Sequence, residues 1–194
     1  MLKIGITGGI GSGKSVVTRI FKTLGIPTLD ADSFAKDLMA NNAEVQEQLT
    51  ANFGPSIFKA GKLDRQVLSK MVFNDKAMLA QLNGIVHPAV KKYGNQWMEA
   101  QKAAYVVKEA ALFFESGSDK DMDIMIGVSA PESLRLGRAM QRDNASETDI
   151  RKRMGSQMEE AEKMERCDYI VFNDERHSLI EQIVHLHQIF LKQA

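Results

Sequence analysis

Residues 2–15 read Leu2-Lys3-Ile4-Gly5-Ile6-Thr7-Gly8-Gly9-Ile10-Gly11-Ser12-Gly13-Lys14-Ser15. Leu2, Ile4 and Ile6 alternate as in a short strand ending at Thr7. A glycine-rich loop follows, and Val17, Ile20, Phe21 and Leu24 then recur at helical spacing, predicting a helix from Lys14 to Leu24. Gly25 stops that helix, and Ile26 to Leu29 predict a second short strand. A strand, loop, helix and strand are thus complete within thirty residues, which predicts a right-handed crossover in a parallel sheet.

Gly8 to Ser15 fits the spacing G-x-x-x-x-G-K-[ST]. Positions without side chains let the backbone wrap closely around a phosphate. The helix that starts there presents unpaired N–H groups and its positive dipole end to the same anion. Lys14 adds a point charge for the β- and γ-phosphates, and Ser15 adds a hydroxyl for Mg²⁺. The candidate ATP-binding positions are therefore Gly8, Gly9, Ile10, Gly11, Ser12, Gly13, Lys14, Ser15 and Val16. A dinucleotide-binding G-x-G-x-x-G fails, because after Gly9 and Gly11 it is Lys14 that stands where the third glycine belongs. The motif specifies a nucleoside triphosphate, not a kinase.

Downstream, residues 33–103 are patterned mostly as helices. Val45, Leu49 and Phe53 mark one, and Leu79, Leu82, Val86, Val90, Tyr93 and Trp97 a longer one, which Pro88 interrupts or restarts. Gly54-Pro55 and Gly61 predict loops. That is too much helix for a minimal crossover, so it predicts an inserted subdomain. Apolar runs at 104–107, 124–128 and 169–172 predict three more strands, the first two covered on both faces. A charged helical stretch lies between the last two, and a final helix spans 179–191. The simplest assembly is α/β: a five-stranded parallel sheet between helices, with a helical insertion and a charged lid. The core is 1–32 plus 104–194, with the lid at about 131–165; the insertion is 33–103.

Lys plus Arg and Asp plus Glu each number 25, so no net charge draws the chain to nucleic acid or an anionic membrane. With Cys167 alone, an intrachain disulfide and a cysteine-rich zinc site are both excluded. No targeting pattern or bilayer-length apolar run is present, which points to the cytoplasm. The expected state is a monomer or a small homo-oligomer.

Asp30 and Asp32 follow the second strand, at the strand ends where ligands bind in such sheets. If the strand continues through them, both point the same way. One would orient or deprotonate an acceptor hydroxyl and the other would position Mg²⁺ through water; either could instead cap the next helix. Arg65 follows Asp64 and reads equally as a surface ion pair or a ligand contact. His87 before Pro88 reads as a structural hydrogen bond, and the arginines from Arg138 to Arg153 as a solvated hairpin. A GTPase would show D-x-x-G and N-K-x-D, and neither is present.

These residues, taken together, resemble the dephospho-CoA kinase family. The match runs through Thr7–Ser15, Asp30-Ala31-Asp32, Phe53-Gly54, Gly61-Lys62-Leu63-Asp64-Arg65 and His87-Pro88. It continues through Leu112-Phe113-Phe114-Glu115, Arg138, Arg142-Asp143, Arg153, Gln157 and Asn173. The resemblance implies a three-layer P-loop kinase fold and transfer of the ATP γ-phosphoryl group to the ribose 3′-hydroxyl of dephospho-CoA. It implies Asp32 as the acceptor-activating carboxylate, with Lys14 and Arg142 beside it as catalytic groups, and Asp30 and Ser15 on the metal side. Arg65 and His87 become acceptor contacts, Arg138 and Asn173 ATP contacts, and 33–103 the CoA side. Three places depart from the family pattern: Glu109-Ala110-Ala111 stands for the usual Asp-x-Pro, Val16 for a frequent Thr, and no glycine follows Asn173 closely. Other readings of the same residues are a P-loop kinase for a nucleoside, nucleotide or polar metabolite, or a non-catalytic nucleotide-binding module.

Overall fold

The apolar run at the N-terminus forms β1 (Leu2–Thr7), which becomes the middle strand of a parallel sheet. The computed structural model describes residues 1–73 and 75–194. Strands β2 (Thr28–Asp30), β5 (Tyr105–Glu109), β6 (Ile124–Ser129) and β7 (Tyr169–Phe172) complete the sheet in the order β2-β5-β1-β6-β7, every pair parallel. The chain leaves β1 toward β2 on one side and later reaches β6 on the other. The β1/β6 border is therefore the place where strand order reverses, and ligand crevices open at that point. β2 begins later than its apolar run, at Thr28, and stops at Asp30.

Two compact units are present: Met1–Asp30 with Ala100–Ala194, and Ala31–Glu99. In the sheet unit, α1 (Lys14–Thr23) and α10 (Leu179–Gln193) supply one covering layer. Phe21, Tyr105 and Phe190 meet at its centre, with ring centroids 6.2 Å (Phe21–Tyr105) and 5.5 Å (Tyr105–Phe190) apart in edge-on geometry. A separate cluster joins Phe113 and Phe114 of α6 (Phe113–Ser116) to Met125. The charged stretch forms α7 (Glu132–Asp143), α8 (Glu147–Met154) and α9 (Glu160–Glu165). Despite its charge, the α7–α8 hairpin has an apolar centre of Leu136, Ala139 and Ile150, and Ile10 of the phosphate loop packs against it.

The other unit contains α2 (Ala31–Asn41), α3 (Ala43–Phe53), α4 (Arg65–Phe73) and α5 (Lys76–Glu99), packed around Leu38, Leu49, Phe53, Ile57, Leu68 and Ile85. It holds a hairpin where only loop is predicted: β3 (Phe58–Lys59) pairs antiparallel with β4 (Lys62–Leu63). Ala60 and Gly61 turn it at φ 50° and 75°, the left-handed pair that a two-residue hairpin needs. Pro88 neither breaks nor restarts α5, which is continuous through it. The carbonyl that the proline ring crowds belongs to Gly84, four residues earlier, and both residues are exposed, so water can take over the released acceptor.

Candidate nucleotide and phosphoryl-transfer site

The phosphate loop joins β1 to α1, and its curvature comes from residues held where side chains do not fit. Gly11 and Gly13 take φ values of 77° and 95°, and Gly13 is the N-cap of α1. A Cβ on Gly13 would strike the Asn173 side-chain amide, and one on Gly11 the Arg135 carbonyl. Asn173 Nδ2 donates to the Ser12 carbonyl at 2.7 Å, which ties the end of β7 to the loop. Lys14 Nζ lies back on the loop, donating to the carbonyls of Gly8 at 3.1 Å and Gly9 at 3.2 Å. Ser15 and Val16 are exposed in the first turn of α1.

Asp30 ends β2 in register with Glu109, the last residue of β5, which in turn pairs with Ile6 of β1. In-register residues of parallel strands face the same side, so two carboxylates stand together at the sheet's C-terminal edge. Asp30 is exposed and Glu109 buried. The strand does not continue through Asp32. α2 starts at Ala31, which puts Asp32, exposed, in the first turn of a helix, where a carboxylate is favoured by the dipole. Strand alternation therefore says nothing about how Asp30 and Asp32 face. Arg65 opens α4, whose N-terminal amides at Gln66 and Val67 bond Asp64 Oδ1, and its Nη2 donates to the Lys36 carbonyl at 3.1 Å. His87 is exposed on α5. Asp32, Arg65 and His87 all belong to the helical unit; the remaining predicted positions belong to the sheet unit.

The arginines are engaged with the protein's own acids. Arg142 grips Asp143 through Nε and Nη2 at 2.7 and 3.0 Å, and Arg153 Nη1 reaches the same carboxylate at 3.0 Å. The Arg142 hydrogen bond chiefly holds the Asp143 carboxyl below its usual range, and the same bond raises Arg142. Arg138 donates to the Asn173 carbonyl and to Glu175 Oε1, both at 3.1 Å. Glu175 itself sits at φ 67°, so the loop after Asn173 keeps a left-handed turn without a glycine. Asp174 fixes that turn by accepting the His177 and Arg176 amides, which lower its carboxyl to about 2.

Several residues beside the loop escaped the sequence reading as site groups. Arg135, buried on α7, pairs with Glu160 at 2.6 Å and donates from Nε to the Ala130 carbonyl. Fully buried Lys163 of α9 donates to the Ala111 carbonyl at 2.9 Å and to Glu115 Oε1 at 3.0 Å. Burial raises the Glu115 carboxyl, but the Met158 amide, its own amide and Lys163 outweigh it and hold the group below its ordinary range. Gln157 Oε1 accepts the Ile10 amide at 3.0 Å. A polar cavity of about 200 Å³ lies here, lined by Gly9, Arg135, Gln157 and Glu160 among others. The advance signs were indirect: Glu115 and Gln157 lie in stretches that carry the family resemblance, and Arg135 and Lys163 are charges on the faces that α7 and α9 bury.

A parallel sheet in this order, with a phosphate loop at its reversal point, defines a P-loop kinase. Shikimate kinase from Bacteroides thetaiotaomicron shares the fold at 14% identity, with a TM-score of 0.53 over 98% of each chain. The dephospho-CoA kinase family model matches residues 2–178. A curated dephospho-CoA kinase of Porphyromonas gingivalis is 43% identical over 187 residues, covering 96% of this chain and 93% of that protein. The solved dephospho-CoA kinase of Campylobacter jejuni is 30% identical with a TM-score of 0.72, covering 98% of each chain. The chain belongs to the dephospho-CoA kinase family.

Proposed function

We propose that this protein transfers the γ-phosphoryl group of ATP to the ribose 3′-hydroxyl of dephospho-CoA, giving CoA and ADP, in the cytoplasm. The observation that carries the reading is the Gly8–Ser15 loop: left-handed glycines, a lysine folded onto its carbonyls, and a helix N-terminus at the β1/β6 border. The loop amides bind the β-phosphate, and Lys14 exchanges the carbonyls of Gly8 and Gly9 for β- and γ-phosphate oxygens.

The donor set suits Mg²⁺. Ser15 offers a hydroxyl and Asp30, with Glu109 beside it in register, a carboxylate; such hard oxygen ligands leave the ion most of its waters. Held by Ser15 and Asp30, Mg²⁺ would supply positive charge to neutralise the phosphates. In the transfer, the acceptor oxygen bonds to the γ-phosphorus as the bond to the β,γ-bridging oxygen breaks, and the hydroxyl proton passes to Asp32. Arg142 leaves Asp143 to stabilise charge on the transferring group, while Arg138 and Asn173 flank the rest of the nucleotide. We assign the CoA side to the helical unit, with Arg65 and His87 as contacts, and the lid to the α7–α9 region.

The deciding experiment is a coupled ADP-release assay over several acceptors. Dephospho-CoA should turn over far faster than adenosine, AMP or shikimate. Equal or greater turnover of another acceptor would reassign the substrate, and ATP binding without acceptor-dependent ADP release would leave only a nucleotide-binding module.

A further inference from the structure

We infer that Gln157 is a positioning residue for the phosphate loop, coupling the turn between α8 and α9 to ATP affinity through the Ile10 amide. The inference rests on the loop being the ATP site, and on a chain of contacts around Ile10 and Gln157. The Ile10 N–H donates to Gln157 Oε1 at 3.0 Å, across 147 positions of sequence. The Ile10 side chain packs against the apolar centre of the α7–α8 hairpin. Gly11 lies so close to the Arg135 carbonyl that a Cβ would not fit. Gln157 is itself anchored, since its N–H donates to the Met154 carbonyl at 3.0 Å and the next amide, Met158, donates to Glu115 Oε1 at 2.9 Å. Glu115 is in turn held by buried Lys163.

The turn at 155–159 thus works as a strut between the segment after β5 and the first half of the loop. Two loop amides are already committed inside the protein, Ile10 to Gln157 and Ser12 to the Gly9 carbonyl at 3.2 Å. Ile10 is therefore not a phosphate donor here. Its bond sets the peptide planes on either side, and so the direction of the amides that follow. Without an acceptor, the Ile10 N–H must turn or hydrate, and the loop loses its preset curvature before nucleotide arrives.

The test compares Gln157→Met, of similar length but without the carbonyl acceptor, with Gln157→Glu, which keeps an oxygen at the same reach. Binding of a fluorescent ATP analogue is measured without acceptor, so the result does not depend on which acceptor is right. Salt of about 0.3 M screens the added charge of the glutamate. Gln157→Met should weaken nucleotide binding about tenfold, the scale of one lost hydrogen bond with its donor left unpaired. KM for dephospho-CoA should stay within about twofold, since uniform loss would mark general loosening instead. Gln157→Glu should recover most of the nucleotide affinity, and hydrogen exchange at the Ile10 amide should speed up in Gln157→Met only. Unchanged nucleotide affinity in Gln157→Met would overturn the inference. So would a parallel loss for both substrates, or a Gln157→Glu variant that binds nucleotide as weakly as Gln157→Met.

Discussion

Within the sheet unit, the phosphate loop and the α7–α8 hairpin present their charge in opposite ways. The loop offers backbone: Gly8 and Gly9 are buried, Gly11 and Gly13 are held left-handed, and the neighbours that hold them are Arg135 and Asn173. The hairpin offers long side chains, and three exposed arginines among them already lie on acids of the same chain, Arg142 and Arg153 on Asp143 and Arg151 on Glu132 and Glu147. Backbone donors fixed by packing cost little to reorganise when an anion arrives. Arginines engaged with carboxylates must exchange one partner for another. On the proposed ATP site, the loop is thus prepared in advance, whereas the hairpin would have to exchange partners to meet a ligand.

The largest effect should come from the charged side chain that the loop contributes. Lys14→Ala should lower turnover on the order of a thousandfold while circular dichroism stays unchanged, because Lys14 contacts loop carbonyls rather than core. Near-normal turnover in a folded variant would mean that the amides suffice alone.

Asp32→Asn comes next. Asn keeps the size and the capping ability of Asp but cannot take the hydroxyl proton, so single-turnover transfer should fall on the order of a hundredfold with ATP affinity little changed. Repeating the measurement across a Mg²⁺ series separates two roles. Full recovery in excess Mg²⁺ moves Asp32 from base to metal positioning.

Glu115→Ala tests whether the base of the hairpin is as fixed as the loop. Removing the carboxylate leaves buried Lys163 without its ion partner, a loss of about 3 kcal/mol in stability by denaturant titration. Because the folded Glu115 carboxyl lies below its ordinary value, its charge adds stability above that value and loses it as pH falls through the folded one. The gap between wild type and variant should therefore be full at neutral pH and narrow below about pH 4.5. A gap constant down to strongly acid pH would mean that packing, not charge, holds this pair.

The contrast also explains which parts were legible in the sequence. The loop is local: its glycines, lysine and serine sit side by side, and spacing alone identifies them. The five strands were legible because each is a short apolar run, although β2 starts two residues late. Asp30 and Asp32 were not resolved, because the chain passes from strand to helix between them and alternation ends there. Pro88 misled because the carbonyl that its ring crowds, that of Gly84, is on the exposed side of the helix, where water can take over the released acceptor. The Ala60-Gly61 hairpin has strands of two residues, too short for any period to show. Arg135–Glu160, Lys163–Glu115 and Gln157–Ile10 join residues distant in sequence, so only the folded chain reveals them. Without the family resemblance, the arginine cluster reads as a solvated hairpin, and most of its side chains are indeed solvent-facing.

Asp143→Asn carries the smallest expected effect and bears most directly on the difference between loop and hairpin. The Asp143 carboxylate holds two arginines, and if Arg142 engages the nucleotide as proposed, ATP must compete with it for that side chain. Exposed pairs of this kind are worth roughly 0.5 kcal/mol each, so removing the charge should tighten ATP binding by only about threefold. Added salt weakens the same pairs in the wild type, and the advantage of the variant should shrink as ionic strength rises. The opposite sign is equally informative. If Asp143→Asn weakens ATP binding, the carboxylate orients Arg142 toward the nucleotide, and the hairpin is prepared in advance like the loop. Titration of an ATP analogue at two salt concentrations, with hydrogen exchange followed over residues 138–153, distinguishes the two. Release predicts faster exchange in the free variant and equal exchange once ligand is bound. Orientation predicts faster exchange in both states.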